Sequence, residues 1–375
     1  MDVYTVLRIN MGGMFLRSYT KVALFNVQLL FFIFALLIFS GLLGNSESIA
    51  NTDLLHNTIH VDDDNVDGPW DGSVQHPYNG ISQALQFAKD GDTLFVHQGV
   101  YIDNVIINKK VTLLGEDTDT TTILNENNVD DCISIYANDV SIQGFTITSE
   151  SETTSIEIVG IRILENNVIV ENNVIMNHYN GIEFRYAEDI EIYRNDIFFN
   201  HNDGISTFNC YLFWVEYNDI RSNGRYGISI GQSVEGFVEA NYFQNQGRSG
   251  VEISESQSIH INQNIISNNF MNGIRFTGSS ESNEVKRNTI SYNGDFGIQF
   301  RRSSFNDIEE NNIIENGDAE AFFDNCNNNW DNNYWNRTLP FVIITGEKTF
   351  ELINFTFTWI NVDWHPANEP YDIGG

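Results

Sequence analysis

Between residues 160 and 316 apolar and polar positions recur about every 23 residues. Gly160, Gly181, Gly204, Gly227, Gly250, Gly273 and Gly297 stand 21, 23, 23, 23, 23 and 24 apart, each followed by Ile or Val. An asparagine column runs through Asn173, Asn195, Asn218, Asn241, Asn264, Asn288 and Asn311. Three residues before each lies an aliphatic: Val170, Ile192, Val215, Val238, Ile261, Val285 and Ile308. A third polar column, four before the glycine, reads Asn177, Asn200, Asn223, Gln246, Asn269 and Asn293. A fixed period of this size marks stacked structural units. Each lap holds short β patterns such as Gly181-Ile-Glu-Phe and has no room for a ten-residue helix. The expected unit is one coil of a parallel β-solenoid, paired with the next at about 4.8 Å. Aliphatic columns then stack inside, and amide columns hydrogen-bond from coil to coil at the turns. Glycine marks a turn needing either positive φ or close backbone approach.

The flanks break this rhythm. Residues 1–50 carry Arg8, Arg17 and Lys21 ahead of an uncharged run, 22–46, and then Ser48-Ile-Ala50. That is the layout of a secretory signal peptide, with an uncleaved membrane anchor as the alternative. Either way the remainder is expected to be exported, touching the membrane only through this segment. Residues 51–92 read as a strand, an acidic loop and one amphipathic helix. Ile81, Ala84, Leu85 and Ala88 follow the helical spacing, with Asn79 and Gly91 as expected caps. Such a helix suits the open end of a solenoid, whose strand edges need cover. Coils are expected over 93–316, about ten of them. Residues 317–375 concentrate Trp330, Tyr334, Trp335, Trp359 and Trp364 and read as an aromatic cap, with a strand at 351–358. Asn336 and Asn354 begin glycosylation sequons.

The formal charge is −32. A field of that sign argues against nucleic acid as a partner. Cys132, Cys210 and Cys326 are odd in number and scattered, so no disulfide framework or cysteine metal motif is implied. Cys210 is expected to fill a core or turn position in its coil. Asp63, Asn65, Asp67 and Gly68 match the opening of a calcium loop, but Val74 stands where the bidentate Glu of an EF-hand is required. Calcium in another geometry and a plain Asx turn both remain open.

Val61-Asp-Asp-Asp-Asn, His76-Pro-Tyr, Gly91-Asp-Thr-Leu-Phe-Val, Gly99-Val-Tyr and Leu113-Leu-Gly-Glu resemble the opening of exported archaeal β-helix proteins of the NosD-like group. Trp330-Asp-Asn-Asn-Tyr-Trp-Asn and Asp363-Trp-His-Pro resemble their tail. The resemblance spans residues 58–375. It implies an all-β fold: a single-stranded right-handed parallel β-helix of the pectate-lyase type, with an N-terminal capping helix and an aromatic C-terminal cap. It carries over no catalytic residue. Copper delivery, a role linked to that group, lacks a Met/His or Cys/His cluster here.

One constellation interrupts the ladders. His178 and His201 both lie three residues before a repeat glycine, so stacking would set them about 5 Å apart. Tyr179, Asp203, Arg225, Tyr226 and Arg248 lie at neighbouring turn positions. Together they have the parts for a uronate sugar. An arginine would pair with the carboxylate and stabilise an enolate, His201 or Tyr226 would move a proton, and Asp203 would orient a histidine or hold a cation. The first functional expectation is a cell-surface scaffold binding a polysaccharide or envelope glycan. The alternative is a polysaccharide lyase, epimerase or hydrolase on this lateral face.

Overall fold

A computed structural model describes residues 57–126, 129–150, 157–336, 338–350 and 355–373. The signal or anchor expected at 1–50 and the Asn354 sequon lie outside the described residues. From His56 onward the chain forms one unit. Three sheets of 12, 10 and 12 strands, parallel except for the last strand of the third, run its length, and successive strands within the coils visit them in turn. A typical coil is Asn180–Arg185, Glu188–Tyr193 and Asp196–Phe198; the next is Ile205–Phe208, Tyr211–Glu216 and Asp219–Arg221. We number the sheets by chain order. Sheet 1 begins with Thr58–Val61, sheet 2 with Gly99–Ile102 and sheet 3 with Val105–Ile107. Sheet 1 counts 12 strands rather than about ten because coil pairing extends one strand beyond 93–316 at each end, to Thr58–Val61 and to Asn329–Asp331. Ile308 pairs with Trp330, and Ile298 with Ala321, where bulky or small residues replace the repeat signature.

The aliphatic columns are in register. Ile182 pairs with Ile205, Ile228 and Val251 in turn, and Ile192 with Val215, Val238 and Ile261, all fully buried. Sheet 2 adds Ile175, Ile197, Ile220 and Phe243 to the same core. The asparagine column forms a buried ladder. Each amide nitrogen reaches a carbonyl one coil back, and each amide oxygen accepts from the preceding Asn: Asn218 Nδ2 to Ile192 O at 2.9 Å and to Asn241 Oδ1 at 3.0 Å. The ladder runs from Asn173 to Asn333 and ends on Asp363, which also accepts from Trp335 Nε1 at 2.9 Å. The residue before each ladder Asn takes a left-handed φ, as at Tyr217 (57°) and Ala240 (54°). That strain lies on non-glycine residues, and the side-chain bonds beside it hold the turn.

The repeat glycines serve close approach instead. A Cβ on Gly204 would stand 2.7 Å from Gly227 O and 2.7 Å from Ile220 Cγ2, and φ there is not left-handed. A further ladder passes through Cys210, Ser233, Ser256, Ser280 and Ser303, each backbone N–H donating to the next hydroxyl.

At the first coil the helix is Ile81–Phe87, with Ile81, Ala84 and Leu85 buried. Asn79 does not cap it: Gly80 is the N-cap and makes no side-chain bond. Its C-terminal carbonyls are held instead by Lys109 Nζ, which donates to Leu85 O at 2.7 Å and Ala88 O at 2.8 Å. At the other end Trp330 is buried against Phe300, and Trp335 against Trp330. Beyond them Val342–Phe350 and Phe355–Asp363 pair as an antiparallel hairpin, on which Trp359 is partly exposed.

Candidate functional site

The seven sequence-selected residues lie on the turn into sheet 3, but not as the glycine count predicts. Eight residues separate Asn173 from Gly181, against nine from Asn195 to Gly204, so the His178 turn is one residue short. His178, not Asn177, occupies the ladder position, and its N–H donates to Asn200 Oδ1 at 3.1 Å. Its side chain is therefore interior and makes no hydrogen bond of ordinary geometry. Burial pushes its pKa down to about 4, against the pull of the Ile147 carbonyl, so it is neutral at pH 7. His201 is joined to it only through the backbone, N–H to His178 O at 2.7 Å, and its side chain is exposed. The expected stacked histidine pair is absent. The shortened turn sends one ring inward and leaves the other outside.

The remaining five fall on two neighbouring turn columns, and Asp203 and Tyr226 are buried. Backbone hydrogen bonds link Tyr179, Asn202, Arg225 and Arg248 as one turn column at 2.7, 2.8 and 2.7 Å. The adjoining column is Asn180, Asp203, Tyr226 and Ser249, all buried. Asp203 N–H donates to Asn180 Oδ1 at 3.1 Å, and Asp203 Oδ1 accepts from Tyr226 N–H at 3.2 Å. The Arg225 guanidinium lies 4.5 Å from the Tyr226 ring centroid.

Two residues beyond each repeat glycine is an outward column that the sequence reading did not select. It runs Arg162, Glu183, Ser206, Ser229, Glu252, Arg275 in register. Glu183 is buried and held by Arg162, by Arg185 at 2.9 Å and by Asn180 Nδ2 at 3.0 Å; Arg162 also binds Asp131. Glu252 pairs with Arg275 at 2.8 Å through one oxygen, while Oε2 is buried without a partner. Between the two carboxylates Ser206 and Ser229 leave a floor of small residues three coils wide, about 14 Å. That span is too wide for Glu183 and Glu252 to act as the carboxyl pair of a glycosidase, which stands about 5–9.5 Å apart.

Burial raises the Asp203 carboxyl from 3.8 to about 7, with Arg225 pulling the other way. Glu252 is raised for the same reason, opposed by Arg275. The unfolded chain releases the Asp203 proton near pH 4 and the folded chain near pH 7. Stability should therefore fall as pH rises through that window, by on the order of 4 kcal/mol, and stay reduced above it. Asp203→Asn should gain on wild type between pH 4 and 7 in urea titrations. A pH-independent difference would show that Asp203 ionises normally.

The acidic loop places its candidates differently. The Asp63 carboxylate accepts from Val100 N–H at 3.0 Å, and Asn65 Nδ2 donates to Pro77 O at 2.7 Å. Asp67 is exposed. Asp63 thus ties the loop to the strand Gly99–Ile102, and Asn65 braces the loop from within. Among the described residues no three His, Cys, Asp or Glu side chains converge on a metal position.

The sequence profile for "right handed beta helix region" matches residues 113–234 and 209–357. The chain belongs to this right-handed β-helix family. Among curated proteins, none matches by sequence. Solved structures do match this β-helix. The A-module of Azotobacter vinelandii mannuronan C-5 epimerase AlgE4 superposes with TM-score 0.57 at 15% identity, covering 70% of this chain and 81% of that one. The AlgE6 A-module gives 0.54 at 12%, covering 72% and 94%. Lacto-N-biosidase of Eubacterium ramulus gives 0.54 at 11%, covering 72% and 64%. At such identities the likeness is one of fold.

Proposed function

We infer that the protein is an exported β-helix that binds an acidic, uronate-bearing polysaccharide along the outer face of sheet 3. The observation carrying this is the pair Arg225 and Arg248. They stand on adjacent coils beside the Ser206/Ser229 floor, and among the described residues neither forms an ion pair, whereas Arg162, Arg185 and Arg275 do. Arg225 offsets the buried Asp203 and Glu252 carboxyls from beyond ion-pair distance, and in a chain of charge −32 the two guanidiniums are a local exception to its field. Planar guanidinium matches carboxylate bidentately. The fold neighbours named for mannuronan epimerisation agree with a carbohydrate partner. Export rests on the N-terminal charge and apolar pattern.

Turnover is a second reading, favoured by Asp203. A carboxyl that keeps its proton to about pH 7 beside Arg225 suits proton delivery to a uronate enolate, with the exposed His201 as base. The test is incubation with polygalacturonate, polymannuronate and neutral glucans, with and without calcium, reading retained polymer and new unsaturated or reducing ends. Retention of the uronans alone supports the binding face. Products that vanish in His201→Ala and Asp203→Asn add catalysis. Equal retention of the neutral glucans, or none, removes the reading.

A further inference from the structure

Across the serine floor from Arg225 stands an aromatic ring that carboxylate pairing alone does not use. A second outward column of sheet 3 lies four residues after each repeat glycine and runs Arg185, Phe208, Gly231, Ser254, Thr277 in register. Phe208 is the one aromatic residue among these five. Taking sheet 3 as the uronate-binding face, we propose that Phe208 is the stacking platform for the apolar face of a sugar ring whose carboxylate is held by Arg225. The platform makes the face selective for uronate sugars over other polyanions.

Three observations carry it. First, the ring has a seat on the next coil. A Cβ on Gly231 would stand 3.2 Å from Phe208 Cδ2, so the ring leans over the space that a side chain there would fill. Tyr186 lies T-shaped against it, with centroids 5.8 Å apart at 81°, and Tyr186 N–H donates to Phe208 O at 3.0 Å. Arg185, its neighbour on the preceding coil, is held to Glu183 at 2.9 Å. Phe208 is therefore packed on its flanks yet only half-buried, and a ring placed in advance needs little ordering when a ligand arrives. Second, the residues around it are small. Ser206 and Ser229 form the floor beside it, and Gly231, Ser254 and Thr277 continue its own column. Third, one strand presents both chemistries. Arg225 precedes Ile228–Gly231, Phe208 leans over the last residue of that strand, and the outward Ser229 lies between. Outward neighbours on a strand are about 6.6 Å apart, which keeps ring and guanidinium within reach of one sugar unit. A uronate carries its carboxylate on the ring edge and C–H groups on the ring faces. Stacking uses a face and leaves the carboxylate for a bidentate guanidinium. A polyanion without such rings meets only the arginines.

The full chain would be titrated by calorimetry with trigalacturonate and with triglutamate, whose side chains carry as many carboxylates without a sugar ring. Wild type should prefer trigalacturonate. Phe208→Leu keeps an apolar side chain but removes the flat face. It should weaken trigalacturonate about tenfold and leave triglutamate unchanged. Phe208→Tyr restores the face and should restore the affinity. Arg225→Ala should weaken both ligands. Wild-type trigalacturonate affinity in Phe208→Leu, alongside a loss in Arg225→Ala, overturns the platform and leaves the arginine face standing. Equal loss of both ligands in Phe208→Leu also overturns it, because the ring then only shapes the floor. Absence of trigalacturonate binding by the wild type removes the platform and the uronate face together.

Discussion

Asn241→Leu is expected to lower the stability of the β-helix by roughly 3–5 kcal/mol. Leucine is close to asparagine in size, so the loss would come from hydrogen bonding. Asn241 Oδ1 accepts from Asn218 N–H at 2.9 Å and from its Nδ2 at 3.0 Å, and Asn241 Nδ2 donates to Val215 O at 2.7 Å. All lie in the dry interior. Removing the amide orphans one backbone N–H and one backbone carbonyl, and the left-handed turn at Ala240 loses its side-chain brace. A stacked solenoid is only as continuous as its weakest interface, so the damage should also split unfolding into two steps. Urea titration followed by circular dichroism reads both effects. A single transition at the wild-type midpoint would mean the ladder is ornament on an apolar core sufficient by itself.

The same ladder explains why so much of the fold is legible in the sequence. A parallel coil places residue i beside its counterpart one lap later, so any position with a strict chemical demand prints a column. Ile182 to Ile298 and Asn173 to Asn311 are such columns, and the structure pairs them as spaced. The Cys210–Ser303 hydroxyl ladder prints one too, at 23, 23, 24 and 23, but serine is common enough in turns to hide it. The ends are harder to read. Where Ala321 and Trp330 replace the repeat residues, coil pairing continues without the pattern.

The site was half legible for a related reason. Counting from glycine put His178 over His201, while counting from asparagine puts His178 in the ladder. The step from asparagine to the next glycine is one residue short in that lap alone, and this marks the shortened turn. The floor between Glu183 and Glu252 is also a column, two residues after each glycine. Its chemistry changes from coil to coil, and a column that varies looks like noise until the register is known. Conserved chemistry along the coils builds the rod, and broken chemistry builds the face.

That face yields the largest expected change in function. Arg225→Ala with Arg248→Ala should weaken uronan binding about a hundredfold, tenfold for each charge-assisted carboxylate contact. The two side chains leave adjacent coils, about 4.8 Å apart, close to the advance of one sugar along an extended chain. The fold should tolerate the change at modest cost: Arg225 over Tyr226 is worth about 0.5–1 kcal/mol, and loss of its charge raises the Asp203 and Glu252 carboxyls further. Salt dependence separates this from a general charge effect. A chain of −32 repels a polyanion at long range, and that repulsion is screened first. Wild-type binding should rise from low to moderate ionic strength and fall only when the close pairs weaken. The double variant, left with repulsion alone, should improve with salt and show no later fall. Arg→Lys at both positions should restore the charge but only part of the affinity, because ammonium cannot bridge both carboxylate oxygens. Wild-type affinity in the alanine double variant, measured by co-sedimentation with polygalacturonate and polymannuronate, would move the ligand off this face and leave the arginines as solubilising charge.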